Sequence, residues 1–421
     1  MSKLSLEHVI SICLLTPMGD PSHEDCVWGA PLFIWGDPGI GKSSRVHAAS
    51  LATQLHFERV ATPCHTAEDF GGIPIVTKKE CTDIPKKADI ADLLRAQISV
   101  LTSNGGVRRA CSLGQIHRLT ESRRGVLFLD EISRAPRQVQ NALFSVVQER
   151  YAGDELLPGG VRVICAANPA DQVIGAFETD VALANRFLHW EQAPSTVEDW
   201  QQFHMEKLHG RGPALLDYKS GEDAIRSDFK ETYARTIAIW GGFLKTRSEL
   251  LHNIPPEGSP DRGRGWPSER SHELAMRVTA TCGCLGIDIQ DQADLIQGCI
   301  GEGATTEWMS FILNADLPSA EQMLAGQWEP DVARLDRTHA AYGTLIAHIT
   351  TRPTIQEKQH CAVPAWGMLE KLIDVGLSDI AKKHAQTLVN DRLGMSYGGA
   401  AVAKAARKVM AHLGETRLSE I

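Results

Sequence analysis

The chain has 421 residues, more than one compact core holds, and divides into about two or three domains. Its 43% hydrophobic and 23% charged residues are those of an ordinary folded soluble protein, and its net charge of −9 supplies no global basic field to hold a nucleic-acid backbone. Its ten scattered cysteines show no CxxC pair and no zinc-ligand spacing, the apolar run at 9–15 lacks the basic flank of a signal peptide, and no segment has the length of a bilayer span, so reduced thiols in a cytoplasm are expected.

Residues 5–15 place Leu6, Val9, Ile10, Cys13 and Leu14 at helical spacing and predict an amphipathic helix, ended by Pro17, Gly19 and Pro21. Residues 32–35 are wholly apolar, as in a strand buried on both faces. They lead into Gly36, Asp37, Pro38, Gly39, Ile40, Gly41, Lys42, Ser43 and Ser44, a glycine-rich turn that opens a helical pattern over 42–55. A strand, turn and helix in this order expose consecutive backbone N–H groups and a positive helix end to phosphate oxygens. Lys42 is expected to reach the β- and γ-phosphates of a nucleotide, and the Ser43 hydroxyl to ligate Mg²⁺.

Residues 59–62 predict a second strand, and Gly71, Gly72 and Pro74 a turn. A long interruption over 76–115 follows, with Ile90, Leu93, Leu94, Ile98 and Leu101 spaced as a helix. It carries seven basic residues against four acidic ones, the pattern of a solvated face or of a contact surface. Residues 125–131 then form an apolar strand ending in two carboxylates. Downstream of a phosphate loop, Asp130 is expected beside Mg²⁺ and Glu131 in position to polarise an attacking water. Residues 135–150 predict a helix with Pro136 near its first turn, and the turn signals at 152–155 and 157–160 suggest a small hairpin. A further strand over 161–166 ends near Asn168, which suits holding the attacking water or an Asx-turn before Pro169. Arg186 closes a helical segment before a last short strand at 188–191, and offers either a surface ion pair or a guanidinium for a neighbouring subunit's γ-phosphate.

Beyond residue 192 the pattern is helical: 195–208, 228–252, a loop or hinge over 253–267, and a helix opened by Trp266, Pro267, Ser268, Glu269 and Arg270. Four further helices are expected near 336–350, 364–375, 378–393 and 399–413.

The order of these motifs resembles the AAA+ ATPases, and within them the MoxR-like group. Residues 130–136, 139–143 and 149–150 look like that group's Walker B segment and following helix, residues 166–169 like its sensor 1, and residues 185–187 like its arginine-finger segment. The resemblance implies an α/β P-loop AAA+ core with a central parallel sheet at 1–192, interrupted by an insert at about 70–115 and a hairpin at about 151–161. A helical linker and lid at 193–330 and a helical extension at 331–421 would follow. It further implies ATP and Mg²⁺ as ligands, a homo-oligomeric ring, usually hexameric, and a protein partner, usually one with a von Willebrand factor A domain. Arg270 is similar in position to the family's sensor 2, with Arg264 and Arg277 as competitors. A DNA-associated motor or restriction-type NTPase subunit on the same fold is the alternative.

Overall fold

The structure, a computed structural model, describes residues 4–71, 73–77, 99–101, 107–111, 114–153, 155–169, 180–209, 215–393 and 399–412. The chain divides into two compact units, Met1–Arg226 with His252–Glu302, and Ser227–Leu251 with Gly303–Ile421.

The first unit is an α/β layer. Helix α1 (Leu6–Leu15) starts at Ser5, whose hydroxyl accepts from the His8 amide. Strand β1 (Leu32–Trp35) is followed by α2 (Lys42–Ala52), β2 (His56–Ala61) and the short α3 (Ala67–Gly71). The predicted insert contains β3 (Ile73–Thr77), β4 (Ser99–Leu101) and β5 (Val107–Cys111), an antiparallel sheet of its own in the order β3-β5-β4. Leu101 is therefore in a strand and not in the helix that its spacing suggests; the rest of that expected helix lies outside the described residues. The competing signal was the Asn104-Gly105-Gly106 run, a turn signal just after Leu101.

Helix α4 (Gly114–Ser122) leads to β6 (Arg124–Asp130). Helix α5 (Arg137–Phe144) follows, with Pro136 as its N-cap residue, and continues as one wider turn over Ser145–Glu149. The hairpin β7 (Tyr151–Ala152) and β8 (Glu155–Leu156), β9 (Gly160–Ala167), α6 (Val181–Ala184) and β10 (Leu188–Glu191) complete the layer. The main sheet is parallel and ordered β10-β1-β9-β6-β2. Its central strands are almost wholly buried and largely apolar, with Arg162 of β9 as a buried exception, and alternate side chains of these strands build one core that includes Phe33 and Phe187. In register, Trp35 faces Ala167 and Glu191, and Ala61 faces Asp130. The strands' carboxyl ends therefore deliver Gly36, Asn168 and Asp130 to one edge, where ligands bind in open parallel sheets.

Helices α7 (Val197–Leu208), α8 (Tyr218–Thr246), α9 (Glu269–Cys284) and α10 (Ile289–Asn314) follow, the last broken at Gly301, whose φ of 78° and ψ of 167° are not helical. Helix α8 starts ten residues before its predicted boundary and ends before His252. The chain then runs through α11 (Ala320–Leu324), α12 (Leu335–Thr350), α13 (Ile355–Asp374), α14 (Ser378–Asn390) and α15 (Gly399–His412). Helix α13 begins well before the expected position because Thr354 and Glu357 form a capping box, and Pro364 is carried inside the helix. Trp366 and Tyr342 centre the second unit's core and spend their polar atoms on the Leu393 and Met368 carbonyls. Among the described residues no helix is long and apolar enough to cross a membrane.

Two buried imidazoles make the second unit acid-sensitive. His339 accepts a contact from Lys245, its ring lies 5.4 Å from that of His384, and Nδ1 of His339 and Nε2 of His384 are buried without hydrogen-bond partners. Burial, reinforced by Lys245 and Lys383, pulls their pKa values down to about 4 and about 3. The unfolded chain binds these protons near the ordinary histidine value, so stability falls as pH drops from there towards the folded values. The unfolding midpoint should decrease from about pH 7 to about pH 5, and His384→Phe should reduce that decrease; an unchanged pH slope in the variant contradicts the assignment.

Candidate nucleotide-binding site

The turn between β1 and α2 is shaped by its glycines. Gly39 and Gly41 have φ of 85°, in the left-handed region, and a Cβ on either would meet nothing within 4 Å. They line an open concavity at the start of α2. Gly36 is constrained differently: a Cβ there would come within 2.6 Å of the Gln192 carbonyl oxygen and of Ile40 Cδ1. Pro38, Gly39 and Ser44 are exposed, while Lys42 is 8% exposed.

Lys42 Nζ donates to the carbonyls of Gly36 at 2.7 Å and Asp37 at 2.9 Å, and to Asn168 Oδ1 at 2.7 Å. Two residues 126 positions apart, both expected at the phosphates, are thus in direct contact. Burial lowers the Lys42 pKa, and the charges of Asp130, Asp37 and Glu131 oppose that shift. Ser43 Oγ donates to Asp130 Oδ2 at 2.9 Å. The same carboxylate is held by the Glu131 amide at 3.0 Å and by Arg59, whose Nε lies at 2.9 Å and Nη2 at 2.7 Å. Glu131 itself occupies the left-handed region at φ 57° and pairs with Arg134 at 3.0 Å. Backbone of this kind in a non-glycine residue is often retained where a side chain must be aimed.

The fit to Mg²⁺ can be read from the donor set. A hydroxyl and a carboxylate oxygen converge at 2.9 Å beside the open loop, which suits a hard cation whose remaining ligands are phosphate oxygens and water. Among the described residues no group of three or more His, Cys, Asp or Glu side chains comes together as a self-sufficient metal site. Ser43 and Asp130 therefore fit a metal that arrives with its nucleotide. Beside the loop lies a cavity of about 500 Å³, lined in part by Glu7, Arg45, Gln192, Ser195 and Phe203. Arg45, one turn beyond Lys42, bonds Glu7 at 2.7 Å and Ser195 at 2.9 Å across it.

The arginines separate into different places. Arg186 is partly exposed, bonds Gln148 Oε1 and the Ala182 carbonyl, and lies 3.7 Å over the Phe144 ring. Its pKa is lowered to about 10, first by burial and then by the charge of Arg270, whose helix starts at a cap bonded to Asn185. Asn185 donates to the Trp266 carbonyl at 2.9 Å and accepts from that cap, Ser268 Oγ, at 2.5 Å. Arg264 covers Trp35, the residue before Gly36, at 4.0 Å from the ring centroid. Arg277 donates to the Pro17 carbonyl at 3.1 Å and to Glu273. Arg59, Arg134 and Arg264 all touch the acid pair or the loop's strand; Arg59 does so through the parallel register of β2 with β6, Arg134 as a local pair three residues from Glu131, and Arg264 from a distant loop.

Residues 31–187 match the AAA domain family, dynein-related subfamily. No curated protein matches the sequence. A crystal structure of a presumed ATPase from Cytophaga hutchinsonii is 15% identical over 69% of this chain and 78% of that chain, with a TM-score of 0.38, too loose a likeness to bear on this chain's chemistry.

The glycine geometry gives an ordering of costs. Gly41→Ala should destabilise the protein by about 1 kcal/mol, the penalty of a side chain in left-handed backbone. Gly36→Ala should cost more, because the Gln192 backbone oxygen cannot rotate away. Denaturant midpoints of the two variants test this, and a Gly36→Ala protein as stable as Gly41→Ala contradicts it.

Proposed function

We propose that the protein is a Mg²⁺-dependent ATPase of MoxR type that works as a homo-oligomeric ring and remodels a protein partner. The observation that carries this is the convergence of Lys42 with Asn168 and of Ser43 with Asp130 on one edge of the sheet. AAA domains usually assemble as rings, which supports placing Arg186 at a neighbour's site. The MoxR assignment, a hexamer and a partner with a von Willebrand factor A domain rest on the motif order from Asp130 to Phe187. A net charge of −9 weighs against a DNA-associated motor.

In this reading the backbone around Gly39 and Gly41 cradles the phosphates, and Lys42 leaves the Gly36 and Asp37 carbonyls to pair with phosphate oxygens. The cavity beside Arg45 and Gln192 takes the base and sugar. Mg²⁺, held by Ser43 and Asp130, would neutralise charge on the phosphate oxygens. Glu131 accepts a proton from the attacking water once it is released from Arg134, and Asn168 orients that water. Arg186 stabilises charge developing on the neighbouring subunit's γ-phosphate, so one subunit alone has an incomplete site.

Turnover per subunit should therefore rise with protein concentration until assembly saturates. Glu131→Gln and Arg186→Ala should each lose on the order of a hundredfold or more in turnover, with Glu131→Gln still binding ATP. Steady-state hydrolysis together with nucleotide-binding titration checks this. An Arg186→Ala protein as active as wild type removes that residue from the site.

A further inference from the structure

The buried ring of His189 joins the end of the phosphate-loop strand to the segment that carries Arg186. Phe33 is its register partner on β1, and Trp35 lies two residues on, so both share a face of the sheet with His189. The indole nitrogen of Trp35 can only donate, and it gives its proton to His189 Nδ1 at 2.8 Å. Nε2 is then the protonated nitrogen, and it donates to the Ala184 carbonyl at 2.8 Å. Both ring nitrogens are committed to one tautomer. The ring stacks on Phe33 with centroids 5.3 Å apart, and burial keeps it neutral, with a pKa pulled down to about 3.

Each end of this link reaches functional backbone. Trp35 precedes Gly36, whose carbonyl accepts from Lys42, and its own carbonyl accepts from the Gln192 amide at 2.8 Å. Ala184 ends α6, whose start is capped by Asp180, and is followed by Asn185 and Arg186. Asn185 is gripped from the other side by Trp266 and Ser268. A displacement of the loop's strand end thus has a short, hydrogen-bonded route to the arginine segment, in a close-packed core that does not absorb it by deformation.

We propose that His189 is a positioning residue: through Trp35 on one side and the Ala184 carbonyl on the other, it sets Arg186 relative to the subunit's own phosphate loop, so that the loop's state governs the arginine offered to the next subunit. The inference rests on the reading of Arg186 as acting in a neighbour's site. Loss of stability alone does not test it, because removing His189 leaves a buried indole N–H without an acceptor. The test must read the arginine in the neighbour.

Full-length wild-type subunits are assembled with an excess of Lys42→Ala subunits, which present Arg186 but cannot load their own loop, and ATP turnover by the wild-type subunits is measured. The excess subunit is then replaced by Lys42→Ala/His189→Phe, by Lys42→Ala/His189→Gln or by Lys42→Ala/Arg186→Ala. The His189→Phe mixture should turn over roughly tenfold more slowly than the Lys42→Ala mixture, with unchanged nucleotide affinity of the wild-type subunits. His189→Gln, which keeps a donor for the Ala184 carbonyl, should recover part of the loss. Equal turnover with and without His189→Phe overturns the proposal. Equal turnover with and without Arg186→Ala instead overturns the reading beneath it, as does hydrolysis by a protein that stays monomeric. If His189→Phe subunits fail to co-assemble, Trp35→Phe in the Lys42→Ala background replaces them: a fall in turnover supports the link, and no fall overturns it.

Discussion

The parallel register of β1 between β9 and β10 is the constraint on which the rest depends. It places Trp35 level with Ala167 and Glu191, and so puts the phosphate loop, the Asn168 turn and the start of the helical region at one height. A shift by one residue would turn Phe33 and Trp35 to the opposite face, away from His189 and Phe187, and would separate Lys42 from Asn168. The site is therefore a property of the sheet before it is a property of any loop. Its residues come from five separate stretches of chain and meet only because the strands end together.

Electrostatics at that edge follow from the same geometry. The acid pair is matched by arginines, Arg59 on Asp130 and Arg134 on Glu131, while Lys42 is satisfied by two carbonyls and an amide oxygen. Every charged group in the site already has a partner of opposite or complementary character. In the proposed reading, binding a polyanion with a divalent cation would be an exchange of partners, in which Lys42 would trade carbonyls for phosphate and Asp130 a guanidinium for metal. Exchange of this kind would make the site responsive to nucleotide without burying an unpaired charge. Arg59 leads back along β2, and Arg134 along the turn before α5, so each released arginine belongs to a different element.

Much of this was legible in the chain. The loop from Gly36 to Ser43 and the strand ending in Asp130 and Glu131 are local patterns whose chemistry depends on adjacent residues, and the strand at 32–35 declared itself by being apolar throughout. The helices beyond residue 335 were legible from periodicity, although α13 starts earlier than expected, at the Thr354 cap, and the short α11 was not foreseen. Contacts across the sheet were not legible. Trp35 and His189 are 154 positions apart, and nothing in either neighbourhood announces a shared hydrogen bond. Leu101 fitted a helix by spacing and pairs as a strand, because a three-residue strand is decided by its partner and not by its own sequence. Arg270 had the position of a phosphate-contacting lid residue, and the cap of its helix is bonded to Asn185, the residue before Arg186.

The central claim is that one catalytic site is built from two subunits. It is tested most directly by mixing Lys42→Ala subunits with Arg186→Ala subunits, each of which should be inactive alone. The Arg186→Ala subunit keeps an intact loop and acid pair, and the Lys42→Ala subunit keeps the arginine, so the mixture should regain ATP turnover in proportion to the interfaces that pair the two. A mixture that co-assembles and stays as inactive as its components would contradict the shared site.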